Sequence, residues 1–249
     1  MKPLIGIINC HSRTDYQQAI RDTWLKHVPK DKADVRFFLG VGAAREPKDD
    51  EVFLSVPDDY YSIPEKAQAM FKWAFEHGYS NALKCDDDVV LKPESMLASD
   101  CLEHDFVGPR NPNGKLTEIH TPWGFCYWLN RKAMEMVINA PLPGRPGSTH
   151  SYYHANDEAW ISTVLHVNGI FLHDDQRYFL HRGAPQNNRP LQRPLRSPKR
   201  PEPFGLVAPT DTFAWCMYLD LGQHTTPIGR IIEEFYKVYE ETQKNVNVG

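Results

Sequence analysis

Leu83-Lys84-Cys85-Asp86-Asp87-Asp88-Val89-Val90-Leu91 places three consecutive acids between two apolar runs. Adjacent carboxylates repel one another, and apolar surroundings raise the cost of keeping them charged. A hard divalent cation relieves both problems, because it takes carboxylate oxygens as ligands and bridges them to phosphates. It also offsets the charge that grows on a departing diphosphate. Asp is equally at home in solvated turns and helix caps, so an isolated triplet has that plainer explanation. Here an apolar stretch runs straight into the acids, which favours a strand that ends at a ligand site. An EF-hand is excluded, since neither its Gly nor its closing Glu follows at the required spacing.

The chain on either side of the triplet sets the fold class. Residues 4–9 read as a buried strand, 14–26 as a helix, and 34–40 and 52–56 as two further strands. A helix is expected from Ser62 to His77, with Ser62 and Glu65 in capping-box positions and Gly78 as its stop. Residues 81–85 then form the strand that delivers the acids. This alternation is the pattern of an α/β domain with an open, mostly parallel sheet and helices on both faces. Such sheets bind ligands outside the carboxyl ends of their strands, where the triplet sits. Downstream, 125–129 reads as a strand, 131–139 and 156–167 as helices, and 169–173 as a strand. Residues 141–153 form a Pro/Gly-rich loop, 182–210 an extended Pro/Arg-rich stretch, and 227–244 an amphipathic helix.

Composition narrows the class further. Of 249 residues 41% are hydrophobic and 24% charged, which supplies a core for one large domain or two small ones without staples. A net charge of −4 gives no global pull toward nucleic acid or anionic membrane. The five cysteines are scattered, odd in number and free of CxxC spacing, which argues against a disulfide framework and a zinc site. The apolar run at residues 4–8 is too short for a signal-peptide core or a membrane span. The expectation is a cytoplasmic protein of bacterial or viral origin.

At this point the chain resembles glycosyltransferase family 31, the β-1,3-galactosyltransferase and Fringe group. Asp86-Asp87-Asp88 after a Lys-containing strand resembles that family's DxD segment. Ser12-Arg13 followed by Ala19-Ile20-Arg21-Asp22-Thr23-Trp24 is similar to its N-terminal motif. Phe37 to Gly40, Asp58 to Tyr61 with Lys66 and Trp73, Trp123 to Trp128, and His154 to Glu158 match further family segments in order. The resemblance covers residues 4–181. It implies a GT-A fold and an inverting transfer from a UDP-sugar with manganese or magnesium.

In that reading Asp86 faces the ribose or the metal, Asp88 is the main metal ligand, and Asp87 lies beside them at the donor. Asp157 takes the position of the general base, with Glu158 as the alternative because Asn156 and Glu158 depart from the family pattern. The third metal ligand is expected to be a His, with His181 preferred over His173. Arg13, Arg21 and Lys66 are candidate contacts to the donor phosphates. Trp123 and Gly124 are candidates for the acceptor, by stacking and by close approach. A catalytic domain is expected over 1–181, with a donor half at 1–91 and an acceptor half at 92–181. Residues 182–249 would be an extension packed on the same domain.

The acceptor is expected to be a hydroxyl of a glycan. Arg182, Arg189, Arg193, Arg196, Lys199 and Arg200 motivate an alternative in which a hydroxylated DNA base is the acceptor. A second alternative is a sugar- or metal-binding module without turnover. A metal-dependent phosphotransferase or nuclease would need more converging carboxylates or a P-loop, and no GxxxxGK[ST] occurs. Oligomeric state is not legible at this level.

Overall fold

The computed structural model describes residues 1–42, 45–116, 118–143, 157–182 and 214–218. Its elements run in order β1 (Leu4–Ile8), α1 (Thr14–Asp22), β2 (Asp34–Val41), β3 (Glu51–Pro57), α2 (Ile63–Glu76), β4 (Asn81–Asp86) and β5 (Val89–Leu91). They continue with α3 (Pro93–Leu97), β6 (Phe106–Gly108), β7 (Arg110–Leu116), β8 (Ile119–Pro122), β9 (Cys126–Asn130), α4 (Arg131–Asn139), α5 (Asp157–Val167), β10 (His173–Asp174), β11 (Tyr178–Arg182) and β12 (Ala214–Tyr218).

Seven strands form one sheet in the order β10-β6-β9-β4-β1-β2-β3. Strands β3, β2, β1 and β4 are parallel neighbours, β9 is antiparallel to β4 and to β6, and β10 is parallel to β6. The mostly parallel α/β sheet expected from the alternation is therefore present, with β9 as its reversed member. A second sheet, β11-β12-β5, takes over the chain just past the acids. The hairpin β7–β8 stands apart as a third.

The pleat divides the core into two faces. Ile5, Ile7, Phe37, Leu83 and Trp128 pack with Trp24 on the α1 side. Leu4, Phe38, Ala82, Tyr127 and Leu129 pack with residues of α2, α4 and α5 on the other. On β4 the alternation sends Leu83 and Cys85 one way and Ala82, Lys84 and Asp86 the other. Lys84 is thereby carried onto the face that α5 covers. Each large apolar side chain fully buried in these layers contributes roughly 1.5–3 kcal/mol.

Local structure departs from expectation at three places. The first helix stops at Asp22, because the Thr23 hydroxyl turns back onto the Ala19 carbonyl at 2.6 Å and a short 3₁₀ turn, Trp24–His27, follows. That turn drops Trp24 into the core, where its Nε1 donates to the Val89 carbonyl at 3.0 Å. Before α2, Ser62 makes no side-chain cap; instead Asp59 Oδ1 accepts from the Ser62 amide at 2.9 Å. After α5, Gly169 adopts φ +75 and closes the helix rather than opening the strand expected over 169–173, and the strand that follows is His173–Asp174. Gly78 at φ +79 ends α2 as expected. No helix of the described residues is long and apolar enough to cross a membrane.

Most of the expected 141–153 loop, the 182–210 stretch beyond Arg182 and the 227–244 helix lie outside the described residues. So do Asn156 and, apart from the backbone of Arg182, the six basic residues of the Pro/Arg-rich stretch. β12 is the exception in this region: it pairs with β5 and β11, which ties residues 214–218 into the same body as the acid triplet.

Candidate active site

Strands β1 and β4 end side by side, with Ile8 level with Asp86. The residue that follows β1, Asn9, is buried and donates from Nδ2 to Asp87 Oδ2 at 2.6 Å, while Gln17 of α1 donates to Asn9 Oδ1. Arg13 adds an ion pair to Asp87 Oδ1 at 2.8 Å and lies 3.7 Å over the Tyr16 ring. Asp87 is thus turned inward and held by β1 and α1. Asp86 and Asp88 flank it, both partly exposed. Three adjacent acids are therefore sorted by the chain reversal into one inward anchor and two outward-facing carboxylates.

Lys84 is 1% exposed, so bulk solvent does little to hold its charge. Its Nζ donates to Asp86 Oδ1 and to the Gly124 carbonyl, each at 2.6 Å, and stands 3.5 Å from Asp157 Oδ2. Burial alone would discharge it, but Asp157 and Asp86 hold the ammonium well above its usual range. Asp157 opens α5 and is 2% exposed; the Tyr127 hydroxyl donates to its Oδ2. Tyr127 is opposite Lys84 across the β4–β9 pair, so one face of two strands builds the whole contact. Glu158, the next residue, is only partly buried. Its carboxylate packs on Gly124 so closely that a Cβ there would lie 2.7 Å from Oε2.

Electrostatics follow from this crowding. Burial, then the neighbouring Asp86, pushes Asp88 up to about 7. Burial and Asp157 push Glu158 up to about 8. Burial raises Asp87 to about 8, with Asp88 and Asp86 adding to the shift and Arg13 opposing it. Asp86 is raised as well, burial again being the first cause and Lys84 the main opposing one. Five carboxyl groups converge here, and Lys84 and Arg13 offset only part of their charge. The donor set suits a hard dication held by Asp86 and Asp88.

Other candidates from the sequence are placed elsewhere. Lys66 is buried and gives its ammonium to Asp58 Oδ1 at 2.6 Å and to the Asn9 carbonyl at 3.0 Å. Asp58 also accepts from the His11 and Gly40 amides, each at 2.7 Å. Burial opposes ionisation of Asp58, but these donors hold it below the usual carboxylate range. Lys66 and Asp58 therefore pin the ends of β1 and β2 beneath the site rather than lining it.

Arg21 pairs with Asp50 through Nε and one terminal nitrogen, at 2.7 and 2.8 Å, and with Glu51 at 3.2 Å. These partners lie at the start of β3, three strands from β4, so Arg21 reaches from α1 into a local ion network rather than to the triplet.

His173 is on β10, three strands from β4 on the other side, and is not brought to the acids either. The backbone of His181 on β11 is level with Met217 of β12. β12 in turn pairs with β5, where Cys216 is level with Val89, the residue after Asp88. Trp123 is half-buried, with its amide on the Pro109 carbonyl at 2.7 Å, next to Gly124, which meets Lys84 through its carbonyl and packs under the Glu158 carboxylate.

Lys84, Tyr127 and Asn9 are site residues that sequence reasoning passed over. A lysine inside an otherwise apolar strand was the one available signal, since a buried ammonium demands acids around it.

Residues 15–113 match the galactosyltransferase family model. No curated protein matches the chain. Among solved structures, the galactosyltransferase LgtC, determined with donor and acceptor sugar analogues, is similar at 12% identity and a TM-score of 0.54. That match covers 94% of this chain and 95% of LgtC. A glycosyltransferase involved in glycosylation of the major capsid of PBCV-1 aligns over 94% of this chain and 98% of its own, with 10% identity and a TM-score of 0.50. At these identities the likeness speaks for the fold, and the sequence match over 15–113 speaks for the chemistry. The chain is a glycosyltransferase of the GT-A fold, similar over residues 15–113 to the galactosyltransferases.

Proposed function

We propose that the enzyme is an inverting, metal-dependent transferase that moves a sugar from a UDP-sugar to a hydroxyl group, most simply one on a glycan. The observation that carries this reading is the pairing of two outward carboxylates, Asp86 and Asp88, with a separate, partly exposed carboxylate, Glu158, linked to them through Lys84 and Asp157. Asp86 and Asp88, with His181 as a further ligand, would hold Mn²⁺ or Mg²⁺. When bound, the dication supplies neutralisation of the diphosphate leaving group. Residues 1–91 are assigned to the donor side and 92–181 to the acceptor side. Arg13, anchored on Asp87 at the end of β1, faces the donor end.

Inversion needs one base on the acceptor hydroxyl and no protein nucleophile. Asp157 and Glu158 divide that work in this reading. Asp157 is enclosed by Lys84 and Tyr127 and acts as the positioning residue that keeps Lys84 charged. Glu158 is the more accessible of the two, and burial together with the neighbouring Asp157 charge raises its proton affinity, which suits it to take the acceptor proton. Gly124 lets its carboxylate approach the strand. Gly124→Ala is expected to displace that carboxylate and to slow transfer by up to about 100-fold, the order of loss that a misplacement near 1 Å brings. The thermal midpoint should move little, because Glu158 Oε2 is the end of a flexible side chain. An unchanged rate would show that this contact does not position the base.

The test of the whole reading is nucleotide release from UDP-, GDP-, TDP- and CMP-sugars, with and without Mn²⁺. Release from a UDP-sugar that depends on metal supports it, as does an inverted anomeric signal in the transfer product by NMR. Asp88→Asn is expected to need roughly tenfold more metal, or more, for the same rate, since it removes one ligand charge. Retained configuration would remove the inverting assignment, and metal-independent release would remove the dication.

A further inference from the structure

Asp100, His104 and His173 form a second group of potential metal ligands, remote from the acid triplet. One ligand atom from each lies within 4.8 Å of the others. The two imidazoles stack with centroids 3.7 Å apart and planes 10° from parallel. His104 Nε2 is 4.0 Å from Asp100 Oδ2. The other oxygen of Asp100 accepts from Arg177 at 2.6 Å, and Arg177 is in turn held by Asp175 at 2.8 Å. An outer partner of this kind orients a ligand carboxylate and leaves its second oxygen available. β10 is three strand spacings from β4, about 14 Å at the usual separation, so no one ion serves both groups.

We propose that Asp100, His104 and His173 form a separate transition-metal site, of zinc type, that clips the β10 edge strand to the segment entering β6. Two imidazoles and one carboxylate are a borderline-soft donor set that favours Zn²⁺ over Mn²⁺ or Mg²⁺, which the all-carboxylate Asp86/Asp88 pair favours. In a tetrahedral site the ligand atoms lie about 3.3 Å apart, given zinc bonds of 2.0–2.2 Å. The stacked rings must therefore turn about their Cβ–Cγ bonds to aim both nitrogens at one point. Asp100 and His173 are exposed and His104 only half-buried, so that turn meets little resistance.

The clip has a place in the fold. β10 holds to the sheet through two residues of β6, and it carries the chain from α5, which bears Asp157 and Glu158, to β11, which bears His181. A metal at His173 fixes the middle of that connection.

Zinc titration of the untagged full chain, stripped with chelator and followed by calorimetry, tests the proposal. The Asp86→Asn/Asp88→Asn double variant is expected to keep one zinc equivalent and a zinc-dependent rise in thermal midpoint. His104→Ala/His173→Ala is expected to lose that equivalent. The milder His104→Gln should weaken it at least as much as an outer-partner change does, about 10–100-fold. Near-UV circular dichroism of the histidine variants confirms that they are folded. No zinc equivalent in the aspartate double variant overturns the proposal, and so does equal zinc binding by folded His104→Ala/His173→Ala.

Discussion

Lys84→Met is expected to lower the stability of the enzyme by about 3–5 kcal/mol, the loss that follows removal of one partner from a buried ion set. For a chain of this size that is a fall in thermal midpoint of roughly 6–20 °C. Methionine matches the length and apolar stem of lysine, so packing is nearly kept and the effect isolates the charge. What disappears is the ammonium between Asp86 at 2.6 Å and Asp157 at 3.5 Å, together with a donor to the Gly124 carbonyl.

The deficit should depend on pH. Burial raises Glu158 to about 8 and Asp88 to about 7, and Lys84 works against both shifts. Groups whose folded values lie above their unfolded ones contribute stability below about pH 4 and lose it as the pH rises through 7–8. Without Lys84 that loss deepens, so Lys84→Met should be further below the parent at pH 8.5 than at pH 5.5. Denaturant melts at the two pH values measure it. A deficit under about 1 kcal/mol at both would mean that water reaches these acids and that Lys84 is not their essential counter-charge.

Glu158→Gln is expected to reduce kcat by about 10²–10⁴, the usual contribution of a general base, with the KM for the donor little changed. The amide keeps the size of the side chain and its seat on Gly124 but cannot take a proton. The pH profile carries a second signature. Glu158 is pushed up to about 8 by burial and Asp157, so kcat/KM should climb with pH toward that value as the carboxylate ionises. Glu158→Gln should lose that limb. Asp157→Asn is the comparison: it should disturb Lys84 and lower stability, and with the Asp157 charge gone it should move the limb to lower pH without abolishing it. If Asp157→Asn removes the limb and Glu158→Gln keeps it, the base is Asp157 and the roles of the two are exchanged.

Much of the fold was legible because its signals are local. A strand of apolar residues running into Asp86-Asp87-Asp88, a helix closed by Gly78, and strand–helix alternation before them are all written within short windows of sequence. The short β10 and the second sheet were not legible. β10 holds its place by pairing with β6, and β12 by pairing with β5 and β11, across separations that no periodicity reports.

The site divides along the same line. The sequence by itself determined that this chain ends a strand in three acids, places Arg13 after the first strand, and opens a helix with Asp157-Glu158. Only the tertiary structure decided which of these face outward. Asn9 and Arg13 turn Asp87 in, which leaves Asp86 and Asp88 toward solvent. Asp58 and Asp50 take up Lys66 and Arg21, and β6 carries His173 away to the sheet edge. A charged side chain is committed by whichever opposite charge the fold brings within about 4 Å, and that partner is fixed by packing between segments distant in sequence.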